Sequence, residues 1–476
     1  MTIFDRRNFL KAGVSAGFLA GTGALGALTS KKAFAAETSG YKALVAIFLK
    51  GGMDHADTVL PYDQPSYDLL KSARSNLFNR YAAAGNSRSR SGMLPLHPLN
   101  SSKLNGLQYA LPPELSGMRD LFDAGDLAIL GNVGPLIEPI NRATMADRTA
   151  SAPPRLFSHN DQQSSWMALA TEGEKIGWAG RFADAIAASD SSLDPTFLSV
   201  SAGPNDVFLS GSTVSPFATT PNGAPSIEMV RNRSWLGNSN SMDEARAKLD
   251  AFLRAGSFSE SNIYERDFTA MTQAAIEKNQ AFNAAMASSL AMTSPFPSTG
   301  LGKQLEAVAA TINIRNSLKT NRQIFYVTMG GFDTHNNQTN TLPAKHREIS
   351  EAISAFRTAL INNGAWNDVT LFTMSDFGRT TIDNGDGTDH GWGAHHFIAG
   401  GSVDGQKIYG EIPPADLTTD VFTKNRGRLI PTTSVEQYAA TLGSWFGLEE
   451  SELARALPNL SNFTNKNIGF LAGNNA

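Results

Sequence analysis

The 476-residue chain contains no cysteine. That excludes a disulfide framework, an iron–sulfur cluster and a thiolate zinc site. Any metal must therefore rest on His, Asp, Glu, Asn or hydroxyl ligands. Long basic runs are also missing and the net charge is −4, which argues against a nucleic-acid partner. There is no internal repeat and no low-complexity tail. Histidine is scarce, at eight residues. The composition that remains is 41% hydrophobic and 18% charged, a foldable balance for one large domain or two to three ordinary ones.

The N-terminus reads as an address. Asp5-Arg6-Arg7-Asn8-Phe9-Leu10-Lys11 matches the twin-arginine export pattern. A charge-free stretch over 12–30 follows, then Lys31-Lys32 and Ala33-Phe34-Ala35, an A-x-A cleavage pattern. Five glycines in that stretch make a membrane anchor the poorer reading, because a span needs about 20 strongly apolar residues. The expectation is a signal over 1–35, passage through the twin-arginine export machinery and a periplasmic or exported protein. Membrane attachment would come only through an uncleaved signal. The leader carries a net +4, which leaves the mature chain at −8. Likeness to this export class implies transport in the folded state, often with a cofactor already loaded.

Apolar runs over 43–49, 324–329 and 369–374 read as strands buried on both faces, and 127–133 looks like a fourth. Helical stretches separate them. That alternation predicts an α/β fold with a doubly wound, mostly parallel sheet. In such sheets ligands bind outside the carboxyl ends of the strands. Three runs end in polar, glycine-bearing tips: Lys50-Gly51-Gly52-Met53-Asp54, Gly330-Gly331-Phe332-Asp333-Thr334-His335 and Ser375-Asp376-Phe377-Gly378-Arg379. All three tips are expected at one edge. The segment 203–240, rich in Gly, Pro, Ser and Asn, reads as a long loop. With the Ala-rich helical stretch after Met242, it makes 203–320 a loop and helical insertion in a single domain over 36–476.

Six histidines lie beside acidic or glycine-rich tips: His55, His159, His335, His390, His395 and His396. Of these, His55, His335, His390 and the doublet His395-His396 form, with Asp54, Asp57, Asp333, Asp376 and Asp389, carboxylate–imidazole groupings that suit one or two divalent ions; the metal ligands expected are Asp54, Asp333, His335, Asp376, Asp389, His390 and His395. Zn or Mn is favoured, with Mg or Ca as alternatives. The doublet His395-His396 sends its side chains to opposite faces if extended, so one of them faces the site, with His395 preferred. Arg379 has two readings, a planar fork for an oxyanion or a partner for a nearby carboxylate. Ser158 is the candidate nucleophile, at the start of a helix where free N–H groups stabilise an anion, against the common alternative of a plain N-cap. Asp161, Gln162 and Ser164 are lesser candidates, and Trp178 reads as packing, with a pocket wall as the alternative.

Together with the leader, the segments Phe48–Asp54, Gly330–His335 and Ser375–Thr380, with Thr388-Asp389-His390-Gly391-Trp392-Gly393-Ala394-His395-His396-Phe397, resemble a bacterial family of exported proteins known by a domain-of-unknown-function label. That family is placed in the alkaline phosphatase/sulfatase superfamily. The resemblance covers nearly the whole mature chain. It implies an alkaline phosphatase-like α/β/α sandwich and two-metal hydrolase ancestry. It further implies that Asp54 matches the strand-one metal carboxylate, that Asp333 and His335 resemble the Asp/His ligands, and that Asp376 stands where an Asp-His pair is usual. Phe377 follows Asp376 instead, so His390 or His395 would replace the missing ligand. Without cysteine, the modified-cysteine sulfatase mechanism is excluded. The function expected is a periplasmic metal-dependent hydrolase acting on a phosphate or sulfate ester of a small molecule or glycan. The alternative is a non-catalytic exported binding or scaffold protein on a degenerate hydrolase fold.

Overall fold

A computed structural model describes residues 38–225, 244, 247–248, 263–289, 294–423 and 426–472. The leader over 1–35 and the 226–240 part of the long loop lie outside the described residues. Nine strands form one sheet: β1 (Lys42–Leu49), β2 (Leu127–Gly134), β3 (Ser199–Ser201), β4 (Phe217–Ala218), β5 (Arg322–Met329), β6 (Val369–Ser375), β7 (Ala394–Ala399), β8 (Lys407–Gly410) and β9 (Thr433–Ser434). Their order is β8-β2-β7-β6-β1-β5-β3-β4, with β9 also paired to β2. All pair in parallel except β7, which runs antiparallel to both β2 and β6. The four apolar runs are the long strands β1, β2, β5 and β6. A mostly parallel sheet covered by helices is therefore the architecture.

The two-residue period of β1 explains the layers. Ala43, Val45, Ile47 and Leu49 face one core, and Leu44, Ala46 and Phe48 face the other. The first core is closed by helices α1 (Ser116–Asp123), α4 (Gly300–Asn313) and α5 (Gln338–Asn362), through Met118, Leu305, Ile349 and Phe356. The second is closed by α2 (His159–Ala168), α3 (Trp178–Ser189) and α6 (Val435–Phe446), through Trp166, Trp178, Phe182 and Tyr438. Burying each such large side chain contributes roughly 1.5–3 kcal/mol.

The stretch 203–320 contributes to the sandwich itself. β4 extends the sheet edge, and α4 packs Leu301, Leu305, Val308 and Ile312 into the first core. A further helix, Ile263–Ser288, lies in the same stretch. Among the described residues no helix is long and apolar enough to cross a membrane.

One buried acid ties stability to pH. Glu436, in the first turn of α6, is 2% exposed and lines a cleft with Pro153, Pro154 and Ser165. Burial pushes its carboxyl up to about 7, against the lowering effect of hydrogen bonds from Asn459 N and Nδ2, both 2.8 Å. A carboxyl whose folded pKa is raised stabilises the fold fully below its unfolded value, and that contribution is lost as pH rises through the folded one. The window here is about pH 4.5 to 7. Glu436→Gln is expected to remove a fall in stability on the order of 3 kcal/mol across that window. Parallel urea titrations of both proteins at pH 5 and pH 8 check it, and equal slopes against pH would refute it.

Candidate metal centre

Register brings the three polar tips level. Leu49 of β1 pairs with Met329 of β5 on one side and Ser375 of β6 on the other. Lys50, Gly330 and Asp376 therefore leave the sheet side by side. Gly51 locks them together. Its N–H donates to Asp376 Oδ1 at 3.1 Å, and its carbonyl accepts from Arg379 Nη1 at 3.0 Å. It has φ +118, and a Cβ there would stand 2.3 Å from the backbone nitrogen of Asp333. Only glycine fits such a position. Gly51→Ala is expected to cost about 1–3 kcal/mol from backbone strain alone, with further loss from displacing Asp333. Chemical denaturation checks this, and an unchanged midpoint would contradict it.

Above this platform three imidazoles meet one carboxylate. His159, the first residue of α2, places Nδ1 2.6 Å from Asp376 Oδ2 and Nε2 3.5 Å from Asp333 Oδ2. His390 places Nδ1 2.8 Å from the carbonyl oxygen of Phe157 and Nε2 3.4 Å from Asp333 Oδ1. His335 sets Nδ1 3.2 Å from Asp389 Oδ1 and Nε2 3.2 Å from Asp333 Oδ1. Each ring thus uses Nδ1 on an oxygen acceptor and turns Nε2 inward. That fixes the proton on Nδ1 and leaves the Nε2 lone pair available. The ligating atoms of His159, Asp333 and His390 all lie within 4.8 Å of one another.

The hydrogen bond that His159 Nδ1 donates to Asp376 raises the pKa of His159, whereas burial lowers that of His390. Asp333 titrates below the usual range: burial opposes this, but the hydrogen bond and charge of Arg379 outweigh it. The Nε2 atoms of His335 and His390 lie 2.9 Å apart. With both Nδ1 protons committed elsewhere, two lone pairs at that distance repel unless a cation or a proton sits on them. A set of imidazole nitrogens and one carboxylate suits Zn or another borderline divalent ion.

The sequence-derived residues separate into groups. Asp333, His335 and His390 line the centre. Asp376 and Asp389 stand behind it, holding His159 and His335. Asp376 is fully buried and also receives Gln163 Nε2 at 2.9 Å, while Asp389 pairs with Arg426. Arg379 takes the structural of its two readings. It is fully buried and donates to Asp333 Oδ1 at 2.9 Å, to Gly51 O, and to Thr388 through its side-chain and carbonyl oxygens.

Asp54 and His395 are not brought into the cluster. Asp54 is buried under it, with both oxygens on Arg74 at 2.6 and 2.8 Å and a further bond from Gln338. His395 Nδ1 accepts from Asn132 N at 3.0 Å, and its ring meets the edge of His55. His396, on the other face of β7, packs against Trp166. Ser158 precedes His159 without a side-chain capping bond.

The residue of this cluster that the sequence does not place among the expected metal ligands is His159. Its signal was present, as one of six histidines beside polar tips. The hydroxyl of Ser158 beside it makes the same segment read as a nucleophile site.

No curated protein matches the chain. Among solved structures it is similar to Ps i-CgsB in complex with k-i-k-neocarrahexaose, at 9% identity over 87% of this chain and 74% of that one, TM-score 0.31. It is also similar to the lipoteichoic acid synthase LtaP from Listeria monocytogenes, at 9% identity over 82% and 74%, TM-score 0.29. A third is the phosphonate monoester hydrolase SpPMH from Silicibacter pomeroyi, at 10% identity over 70% and 69%, TM-score 0.28. The family model described as protein of unknown function (DUF1501) matches residues 41–457, and the chain belongs to that family.

Proposed function

We propose that this chain is an exported metal-dependent hydrolase of a phosphate or sulfate ester, on an alkaline phosphatase/sulfatase-like fold. The observation that carries the reading is the convergence of His159, Asp333 and His390, each oriented from behind, at the carboxyl ends of parallel strands. These three, with His335 beside them, would hold the ion. Engagement of Asp54 by Arg74 argues for one ion rather than two. Bound there, a divalent ion supplies Lewis acidity to the non-bridging oxygens of an ester. The protein's own part is to orient. Asp376 holds His159, the Phe157 carbonyl holds His390, and Arg379 holds Asp333. Ser158, adjoining His159 at the start of α2, is the candidate nucleophile. The substrate is a small molecule or glycan ester, met after twin-arginine export to the periplasm.

The test is turnover of a panel of aryl phosphate and sulfate esters by the metal-loaded protein. Asp333→Ala and His390→Ala are expected to abolish it with circular dichroism unchanged. Full activity in both variants would overturn the assignment. The second reading, an exported binding protein on a degenerate hydrolase fold, draws on the loss of Asp54 to the Arg74 pair. Metal binding without turnover of any ester would favour it.

A further inference from the structure

We propose that Arg428 is a substrate-binding residue, and that the ester taken by this site carries a second anionic group beside the one that is cleaved. This rests on the hydrolase reading above. The Arg428 guanidinium lies over the Phe157 ring, 4.3 Å from its centroid, and its Nε donates to the carbonyl oxygen of His390 at 2.8 Å. Both contacts belong to the metal centre, because the Phe157 carbonyl is the group that holds His390 Nδ1. The cation is therefore fixed against the back of one ligand and the ring of its neighbour.

Its remaining donors have no task. Among the described residues neither Nη of Arg428 finds an acceptor. Arg426, two residues earlier, is paired with Asp389. Arg379, across the site, gives Nε and both Nη atoms to Asp333, Gly51 and Thr388. Arg428 thus combines a fixed position, through its Nε bond and its ring contact, with two Nη groups that meet no acceptor among the described residues. A guanidinium stacked on an aromatic face is pre-organised, and its fork matches the geometry of a phosphate, sulfate or carboxylate.

Backbone strain points the same way. Phe157 has φ +72 and Arg155 has φ +54, unusual for residues with a Cβ. Phe157 is held there by its N–H on Gln162 Oε1. Strain of that kind persists where surrounding structure over-determines it, and it clusters at ligand sites. Here it does two things at once, aiming the carbonyl at His390 and laying the ring under Arg428.

Calorimetric titration of the full chain with methanesulfonate and with ethane-1,2-disulfonate tests the proposal. Neither probe is hydrolysable, and they differ by one anionic group. The disulfonate is expected to bind wild type at least tenfold more tightly. Arg428→Met is expected to erase that ratio, with metal content and methanesulfonate affinity unchanged, and Arg428→Lys to recover part of it. An unchanged ratio in Arg428→Met, or no binding of the disulfonate to wild type, would overturn the proposal. Joint loss of metal and both probes would also overturn it, because Arg428 would then merely prop His390. If wild type holds no metal, the hydrolase reading fails separately. The Arg428-dependence of the ratio in the metal-free protein then decides this inference by the same criterion.

Discussion

His159→Ala is expected to lower affinity for a divalent metal by more than the roughly 10–100-fold typical of losing an orienting partner, while the protein stays folded. The expectation follows from the accessibility of the ring and the company it keeps. The His159 side chain is 29% exposed, so its removal opens no deep cavity. Asp376 behind it keeps Gly51 N and Gln163 Nε2, so its buried charge is not left bare. What disappears is one of three convergent ligand atoms. Asp376→Asn separates ligation from orientation. It keeps the ring but weakens the acceptor that fixes the Nδ1 proton, and it is expected to cost roughly 10–100-fold. Elemental mass spectrometry of the purified variants, followed by competition with a chromogenic chelator, measures both. Metal held by His159→Ala as tightly as by wild type would remove this residue from the ligand set and leave Asp333, His335 and His390.

The long strands were readable because burial on both faces writes a continuous apolar run into β1, β2, β5 and β6. The polar tips were readable because a parallel sheet puts all such ends on one edge. β7 carries no such signal, because His395 and His396 interrupt its apolar pattern, and both are buried interior groups on opposite faces of the strand. The three-residue β3 and the two-residue β4 and β9 are too short to show any period. Within the site, residue type identified the ingredients but not their order. Asp376 and Asp389 carry the same chemistry as Asp333, yet they hold histidines from behind. Only the side-chain hydrogen bonds distinguish a carboxylate that faces the cavity from one that supports it. Arg428 sits in a segment with no glycine-rich strand tip, and nothing local marks it. Its place depends on a ring 271 positions away in the chain, counted from Phe157 to Arg428.

Asp54 gives the sharpest contrast between a ligand and a structural charge. It follows the β1 tip, where the superfamily resemblance implies a metal carboxylate. In the fold it is 1% exposed, and Arg74, 2% exposed, grips both its oxygens. Burial would raise the Asp54 pKa, but the charge and hydrogen bonds of Arg74 hold it below the usual carboxylate range. Arg74 also donates to the carbonyls of Thr380 and Thr381, each at 2.7 Å, just beyond Arg379. Asp54→Ala would leave that guanidinium buried without its counter-charge, and the expected loss of stability is about 3–5 kcal/mol. Arg74→Met should cost a similar amount, because it leaves a buried carboxylate with only Gln338 and its own helix cap. The pair is coupled, so the double variant Asp54→Ala/Arg74→Met is expected to be less damaged than the sum of the singles. Its recovery will be partial, since the Thr380 and Thr381 carbonyls lose a donor. Denaturant titration of the four proteins gives the coupling energy. Metal content then identifies what Asp54 is for. A folded double variant that keeps its metal marks the pair as a buried strut beneath a one-ion site. Loss of metal from a folded double variant would return Asp54 to the ligands and restore the two-ion reading.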